Sequence, residues 1–189
     1  MPDREVQVIE HLIYYQYAKI IAKSAMGVPD GRAAKANHYG FIKKTLRELK
    51  EGNKKWSDIT REDWQFVQNE KVCIYCGSVE ELSREHIVPR SIQINERCAT
   101  CEHIHQIHNQ VWACRKCNTA KGNLGLYEFY RNRLPHEQKY YDLIPKLLEK
   151  KYLKTIWHCH NCAGTLGSSD IDGDGELTVL DIDYIIHRH

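Results

Sequence analysis

The chain has 189 residues, of which 42% are hydrophobic and 28% charged, as is typical of a globular protein. No stretch approaches the roughly 20 consecutive apolar residues of a transmembrane helix, so we expect no membrane partner. The first residues lack the basic start and the long apolar stretch of a secretory signal, which predicts a cytoplasmic protein.

The formal net charge of +2 hides an uneven distribution of charge along the chain. Six of the 25 acidic residues lie after Ser169, but only one of the 27 basic residues, Arg188, lies there. The positive excess therefore belongs to the part of the chain before Ser169. This polarity predicts a body that binds phosphate and a tail that binds cations.

Three helices are predicted in the first part of the chain. Apolar residues recur at near-helical spacing over residues 4–25, which predicts an amphipathic helix. A break rich in Gly and Pro at 27–31 separates it from a second predicted helix over 33–49. A capping-box pattern that begins at Thr60 predicts a short third helix. Residues 1–69 are therefore interpreted as an N-terminal helical region.

The eight cysteines form four Cys-x-x-Cys pairs. Repeated pairs of this kind fit tetrahedral zinc, which takes two thiolates from each pair, whereas a reducing cytosol disfavours disulfides. The pairs are Cys73/Cys76, Cys98/Cys101, Cys114/Cys117 and Cys159/Cys162.

One zinc site is predicted from the first and third pairs, and a second from the other two. The second site would join Cys98 and Cys101 to Cys159 and Cys162, so that the C-terminal segment is held across the centre of the protein. The alternative is a local zinc site in which Cys98, Cys101 and two of His103, His105 and His108 bind the metal, without Cys159 and Cys162.

Two short motifs lie next to the cysteines of the first predicted zinc site. Glu85-His86-Ile-Val-Pro-Arg-Ser follows the first pair, and Asn118-Thr-Ala-Lys121-Gly follows the third. A zinc ion joining those pairs would bring the two motifs together. The segment 73–122 resembles the zinc-knuckle branch of the HNH, or His-Me finger, nucleases. These proteins carry an acidic-His-x-x-Pro-x-Ser strand, a central Asn and the motif C-x-x-C-N-x-x-K-G.

The resemblance implies a ββα-metal finger over residues 70–125 that hydrolyses DNA phosphodiester bonds. His86 suits the general base, because imidazole exchanges protons near neutral pH. Glu85 and Asn118 offer the hard oxygen ligands that Mg²⁺ or Mn²⁺ prefers, and the resemblance implies the same role for them. Glu85 departs from the commoner Asp, and its extra methylene group makes its role less secure than that of His86.

Three further residues complete the predicted catalytic site. Asn109 aligns with the central Asn of the family, whose implied role is to tie the loop together and to orient the strand that carries the histidine. Arg90 and Lys121 are predicted to contact phosphate groups.

The rest of the chain is predicted to contain helices and a calcium-binding tail. Residues 126–151 have helical character interrupted by Pro135 and Pro145, and they form one region, 126–169, with the last cysteine pair. The tail 170–189 resembles a single dockerin-type calcium repeat, with an acidic turn without metal as the alternative. Its predicted calcium ligands are Asp170, Asp172, Asp174, Glu176, Thr178 and Asp181.

Taken together, these patterns predict an α+β protein: a ββα-metal finger held by zinc sites of four cysteines each and flanked by helices. The predicted function is a metal-dependent HNH endonuclease whose partner is DNA. The alternative is a non-catalytic zinc-knuckle protein that binds nucleic acid. A homodimer would suit the cutting of a palindromic site, but no residue in the sequence indicates an interface.

Overall fold

The computed structural model of the protein describes residues 4–56, 71–92, 102–137 and 139–187. Within them the chain is mixed, with helices and a small antiparallel two-stranded sheet, as the predicted α+β class requires. The elements in chain order are α1 (Ile9–Met26), α2 (Gly31–Lys50), β1 (Leu82–His86), α3 (Glu102–His105), β2 (Gln110–Cys114), α4 (Arg115–Lys121), α5 (Leu126–Arg133), α6 (Lys146–Ala163) and α7 (Val179–Tyr184).

The first predicted helix is confirmed, although it begins five residues later than its apolar pattern. The backbone N–H groups of Ile9 and Glu10 donate to the carbonyls of Ser168 and Leu166, at 2.9 and 3.0 Å. The first N–H groups of a helix have no partner within the helix. A distant loop supplies those partners here, and this contact sets the start of α1.

The second predicted helix is also confirmed, and it lies against α1. Its C-terminal half buries Ile42, Leu46 and Leu49. The first ten residues of α2 are mostly exposed. The short helix predicted at Thr60 lies outside the described residues.

The two strands pair antiparallel, with Leu82 opposite Cys114 and His86 opposite Gln110. Helix α4 begins at the residue after β2, and it contacts both strands. The chain therefore runs strand, strand, helix through the region that contains the predicted catalytic residues. This order brings the start of α4 beside β1.

The interruptions predicted at Pro135 and Pro145 are confirmed. Helix α5 ends at Arg133, and α6 begins directly after Pro145. A 3-10 turn at Tyr140–Leu143 lies between them. Helix α6 continues twelve residues beyond the predicted 151, so that Cys159 and Cys162 lie within its last turns.

One hydrophobic core includes residues from α1, α2, the sheet, α5, α6 and α7. The last helix is attached to it through Asp183, which is buried and accepts hydrogen bonds from the Tyr152 hydroxyl and from the Glu128 backbone N–H. Gly125 lies against this carboxylate: a Cβ atom on Gly125 would lie 2.2 Å from Cγ of Asp183. Among the described residues, we find no helix with both the length and the apolar character needed to cross a bilayer.

Candidate metal centre and adjoining cleft

Four cysteines that are far apart in sequence gather at one end of the sheet. Cys73 and Cys76 lie in the turn before β1, Cys114 ends β2, and Cys117 lies in the first turn of α4. All four Sγ atoms lie within 4.8 Å of one another. This four-cysteine cluster is the first predicted set of zinc ligands, and the fold brings all of its members together.

The spacing of the sulfur atoms fits a tetrahedral metal ion. Tetrahedral zinc with Zn–S bonds of about 2.3 Å holds its sulfur ligands about 3.8 Å apart. The Sγ atoms of Cys76 and Cys114 are 3.7 Å apart, which is far longer than a disulfide bond of about 2.0 Å. The cluster could therefore bind a metal such as zinc.

Two nitrogen donors approach the sulfur atoms. The Cys117 backbone N–H points to Sγ of Cys114 at 3.5 Å, and Nη1 of Arg133 lies 3.8 Å from Sγ of Cys117. Donors of this kind stabilise the thiolate form, which is the form that binds metal. Burial and the neighbouring cysteines nevertheless raise the pKa of Cys117, whereas at Cys73 burial is outweighed by hydrogen bonds from backbone groups, which lower its pKa to about 7.

An open cleft of about 590 Å³ lies beside this cluster, at the end of β1. Its walls come from β1, from the loop that follows β1, from α3 and from the end of α4. Side chains in its walls include Arg84, Glu85, His86, Arg90, His105 and Asn118. The cleft therefore contains both motifs that the sequence places on either side of the predicted finger.

Glu85 is almost fully buried at the base of the cleft, and it is paired with Lys121. Oε1 of Glu85 lies 3.3 Å from Nζ of Lys121, and the exposed fractions of the two side chains are 5% and 0%. Burial raises the pKa of Glu85, and the Lys121 charge opposes this rise. The Glu85 carboxylate faces Tyr75, whose pKa is raised well above its ordinary value by burial and then by that carboxylate.

Lys121 is buried, although its sequence motif does not indicate burial. The motif predicts a phosphate contact for Lys121. In the structure its ammonium group lies inside the protein, next to Glu85 and 3.5 Å from the His86 carbonyl oxygen. Among the described residues, neither carboxylate oxygen of Glu85 has a well-oriented hydrogen-bond donor. Both carboxylate oxygens are also shielded from solvent.

His86 and Asn118 line the cleft on either side of Glu85. Burial, followed by the charges of Arg90, His105 and Lys121, lowers the pKa of His86. His86 is therefore neutral at neutral pH and can accept a proton. Nδ2 of Asn118 donates to Oγ of Ser83 at 3.1 Å, which directs the amide nitrogen to β1 and leaves the amide oxygen available as a metal ligand.

Asn109 is fully buried and holds two loop segments together. Its Oδ1 accepts from the Val88 N–H at 2.9 Å, and its Nδ2 donates to the carbonyls of Val88 and Ile104 at 3.0 and 2.8 Å. Its own carbonyl accepts from the Ile87 N–H at 2.9 Å. These contacts fix the loop that follows His86. The role that the resemblance implies for Asn109, to tie the loop together and to orient the strand that carries His86, would require contacts of this kind.

His105 is a cleft residue to which the sequence motifs assign no catalytic role. It ends α3, is exposed, and lies near enough to His86 for its charge to affect the pKa of His86. The sequence around it contains three histidines within six residues, but nothing in their spacing distinguishes the one that faces the cleft.

The second predicted zinc site lies partly outside the described residues, which do not include Cys98 or Cys101. On α6, Cys159 is buried and Cys162 is exposed. Nearby, His103 stacks on His158 with ring centroids 3.5 Å apart and an interplanar angle of 5°. The second zinc site stays a prediction.

The acidic tail forms a tight loop before α7. Asp170, Asp172 and Asp174 each have a carboxylate oxygen within 4.8 Å of the others. The N–H of Glu176 donates to Asp174 at 2.8 Å. Thr178 and Asp181 form a capping box at the start of α7. Oγ1 of Thr178 accepts from the Leu180 N–H, and Oδ2 of Asp181 accepts from the Thr178 N–H. Calcium in this loop stays a prediction.

The four-cysteine cluster and the cleft share helix α4, which supplies Cys117 to the cluster and Asn118 to the cleft. Comparison with protein-family models, with curated proteins and with solved structures found no match to this chain.

Proposed function

We propose that this chain is a metal-dependent endonuclease of the HNH type that hydrolyses DNA phosphodiester bonds. One observation carries the proposal: Glu85, His86, Arg90 and Asn118 line a single open cleft beside the four-cysteine cluster. Glu85, His86 and Arg90 come after the first cysteine pair in the sequence, and Asn118 directly follows the third pair. A neutral imidazole, a carboxylate and an amide oxygen in one cleft are the groups that phosphodiester hydrolysis needs.

In the proposed reaction His86 acts as the general base. Its lowered pKa keeps the imidazole neutral, so that it can take a proton from water while the water oxygen attacks phosphorus. Glu85 and Asn118 would hold a divalent cation such as Mg²⁺ or Mn²⁺, which supplies positive charge to the scissile phosphate. Arg90 lies in the same cleft and is suited to bind a phosphate oxygen.

Positive and aromatic side chains extend the cleft on the outer face of the sheet. Nζ of Lys71 lies 4.6 Å from the centre of the Trp112 ring, and the guanidinium of Arg84 lies 5.8 Å from it. Arg84 also lines the cleft. A DNA backbone that enters the cleft would therefore pass fixed positive charges.

The second candidate is a zinc-knuckle protein that binds nucleic acid without cutting it. The pairing of Glu85 with Lys121 favours this candidate, because the ammonium group already neutralises the carboxylate that a catalytic cation would use. Both candidates predict DNA binding. Only the nuclease predicts that cleavage depends on His86.

The test is cleavage of supercoiled plasmid by the zinc-loaded full chain, with Mg²⁺, with Mn²⁺ and with excess EDTA. We would compare wild type with His86→Ala and with His136→Ala, which changes an exposed histidine outside the cleft. We expect metal-dependent nicking or linearisation by wild type and by His136→Ala. We expect at least a 100-fold loss for His86→Ala, as the removal of a general base generally causes.

Zinc content and the far-ultraviolet circular dichroism spectrum would show that each variant is folded. Equal cleavage by His86→Ala would contradict the assignment of the general base. If wild type retards plasmid and random duplexes on a gel but cuts none of them with either metal, the binding protein is the correct candidate.

A further inference from the structure

We propose that His105 is a second catalytic residue, which protonates the leaving 3′-oxygen during phosphodiester hydrolysis. This inference rests on the proposed nuclease function and extends it to the other half of the reaction. The cleft contains two imidazoles that come from different segments of the chain: His86 ends β1, and His105 ends α3. The His86 imidazole is enough to activate water, so the His105 imidazole is available for a different role.

The buried Asn109 amide holds together the two backbone segments that carry the imidazoles. Its Nδ2 binds the carbonyl of Ile104, the residue before His105, and both its amide atoms bind the backbone of Val88, two residues after His86. Ile104 is itself 2% exposed, which anchors α3 from its apolar side. A single side chain with no exposed surface therefore links the backbone segments of the two histidines. Such rigid mutual placement is what a pair of proton-transfer groups requires.

The other charged groups around the cleft cannot easily supply a proton. Guanidinium groups do not give up protons in proteins, which excludes Arg84 and Arg90. Lys121 is buried beneath Glu85 and does not reach the cleft. His86 must be neutral to act as the base. The titratable and charged groups that face the cleft, with the one beneath it, are Arg84, Glu85, His86, Arg90, His105 and Lys121.

Water loses a proton to His86 as its oxygen bonds to phosphorus, and the bond between phosphorus and the 3′-oxygen breaks. His105, in its protonated form, gives its proton to that oxygen, which leaves as a hydroxyl. The products are a 5′-phosphate and a 3′-hydroxyl, and proton exchange with solvent restores both imidazoles.

The decisive test changes the leaving group. Once wild type has shown where it cuts a short duplex, the same duplex is made with sulfur in place of the bridging 3′-oxygen at that position. A thiolate leaves without being protonated, so a general acid is not needed for this substrate. Single-turnover rates are measured with the same divalent cation for wild type, His86→Ala, His105→Ala and His136→Ala.

We expect His105→Ala to cut the oxygen substrate about 100-fold more slowly than wild type. It should cut the sulfur substrate at nearly the wild-type rate. His86→Ala should be slow on both substrates, and His136→Ala should match wild type on both. The affinity of His105→Ala for a duplex with an uncleavable linkage should equal that of wild type, because the proposed role is in the reaction and not in binding.

An equal loss of rate on both substrates, or no loss on either, would overturn the role of His105 while leaving the nuclease intact. If wild type cuts neither the plasmid nor random duplexes, the proposed function fails, and this inference fails with it. Should His105→Ala lose its zinc or its fold, His105→Gln keeps a polar side chain of similar size and serves in the same comparison.

Discussion

The buried pair of Glu85 and Lys121 controls the charge at the base of the cleft. Each side chain has lost nearly all contact with water, so each depends on the other for compensation of its charge. When one partner of a buried ion pair is removed, the other is left as an uncompensated charge, and the loss of stability is commonly about 3–5 kcal/mol. The pair therefore couples the stability of the protein to the electrostatics of the proposed site.

A double-mutant cycle tests this coupling. We expect Lys121→Met to lower the free energy of unfolding by about 3 kcal/mol or more. The double variant Glu85→Gln/Lys121→Met should recover much of that loss, because neither charge is then left alone. Urea unfolding of the zinc-loaded proteins measures the free energy of unfolding of the single and the double variant.

The exposed pair of Lys43 and Glu5 provides the matched control. Their charged atoms are also 3.3 Å apart, but their side chains are 35% and 45% exposed. Lys43→Met should cost less than about 1 kcal/mol. Additive losses in the Glu85 and Lys121 cycle would contradict the coupling.

The elements around the four-cysteine cluster are too short to be stable alone. Each strand has five residues and α4 has seven. A two-stranded sheet is at best marginally stable in water, and an isolated helix of that length does not form. The cysteines join the turn before β1 to the junction of β2 and α4, so a bound metal would hold all three elements together.

Removal of one ligand should therefore disrupt this region. We expect Cys114→Ser to bind one zinc ion per chain fewer than wild type and to lose the cooperative unfolding of the sheet. Elemental analysis measures the zinc, and thermal unfolding followed by circular dichroism measures the structure. Wild type treated with a chelator is the control, and it should resemble the variant. Full zinc content in Cys114→Ser would contradict the assignment of the ligands.

The C-terminal cysteine pair shows what a spacing motif leaves open. Two residues three apart lie on one face of a helix, and the same spacing also forms a zinc knuckle. Cys159 and Cys162 lie in the last turns of α6, and their predicted partners Cys98 and Cys101 lie outside the described residues, so the second zinc site stays a prediction. The Cys73 and Cys114 pairs could be placed correctly because turn residues or a strand end accompany them.

Periodicity predicted α1 and α2 well, since α1 has a continuous buried face and α2 has one in its C-terminal half. It could not predict that Lys121 is buried, because a lysine in a motif looks the same whether it faces solvent or a carboxylate. The sequence motifs assign His105 no catalytic role for a related reason. Its place in the cleft depends on Asn109, a contact that becomes visible only once the loops are folded.

At the scale of the whole molecule, one close contact attaches the C-terminal helix to the rest of the protein. Asp183 on α7 accepts hydrogen bonds from α5 and α6, and the absence of a side chain at Gly125 makes room for it. Burial raises the pKa of Asp183 to about 7. The contact is thus tight, polar and shared by three helices.

Gly125→Ala should therefore weaken the attachment of α7. The added methyl group would meet Asp183 at 2.2 Å, and we expect a loss of about 1–3 kcal/mol, as is usual for overpacking. Gly167→Ala is the matched control, because a Cβ atom there meets nothing within 4 Å. Hydrogen exchange of the α7 amides and urea unfolding measure the effect. Equal stability of the two variants would contradict the role assigned to this contact.

The cysteine cluster also has a consequence for the rate of folding. Cys76 and Cys114 are 38 residues apart in sequence, so β1 and β2 must find each other across a long loop. A metal ion that binds both cysteine pairs in the unfolded chain would close that loop beforehand, and for a crosslink of this span the chain-entropy relation gives about 4 kcal/mol. The search for strand pairing would then be local instead of long-range, and local contacts form faster. The protein should therefore refold more rapidly when zinc is present before folding begins than when it is added afterwards.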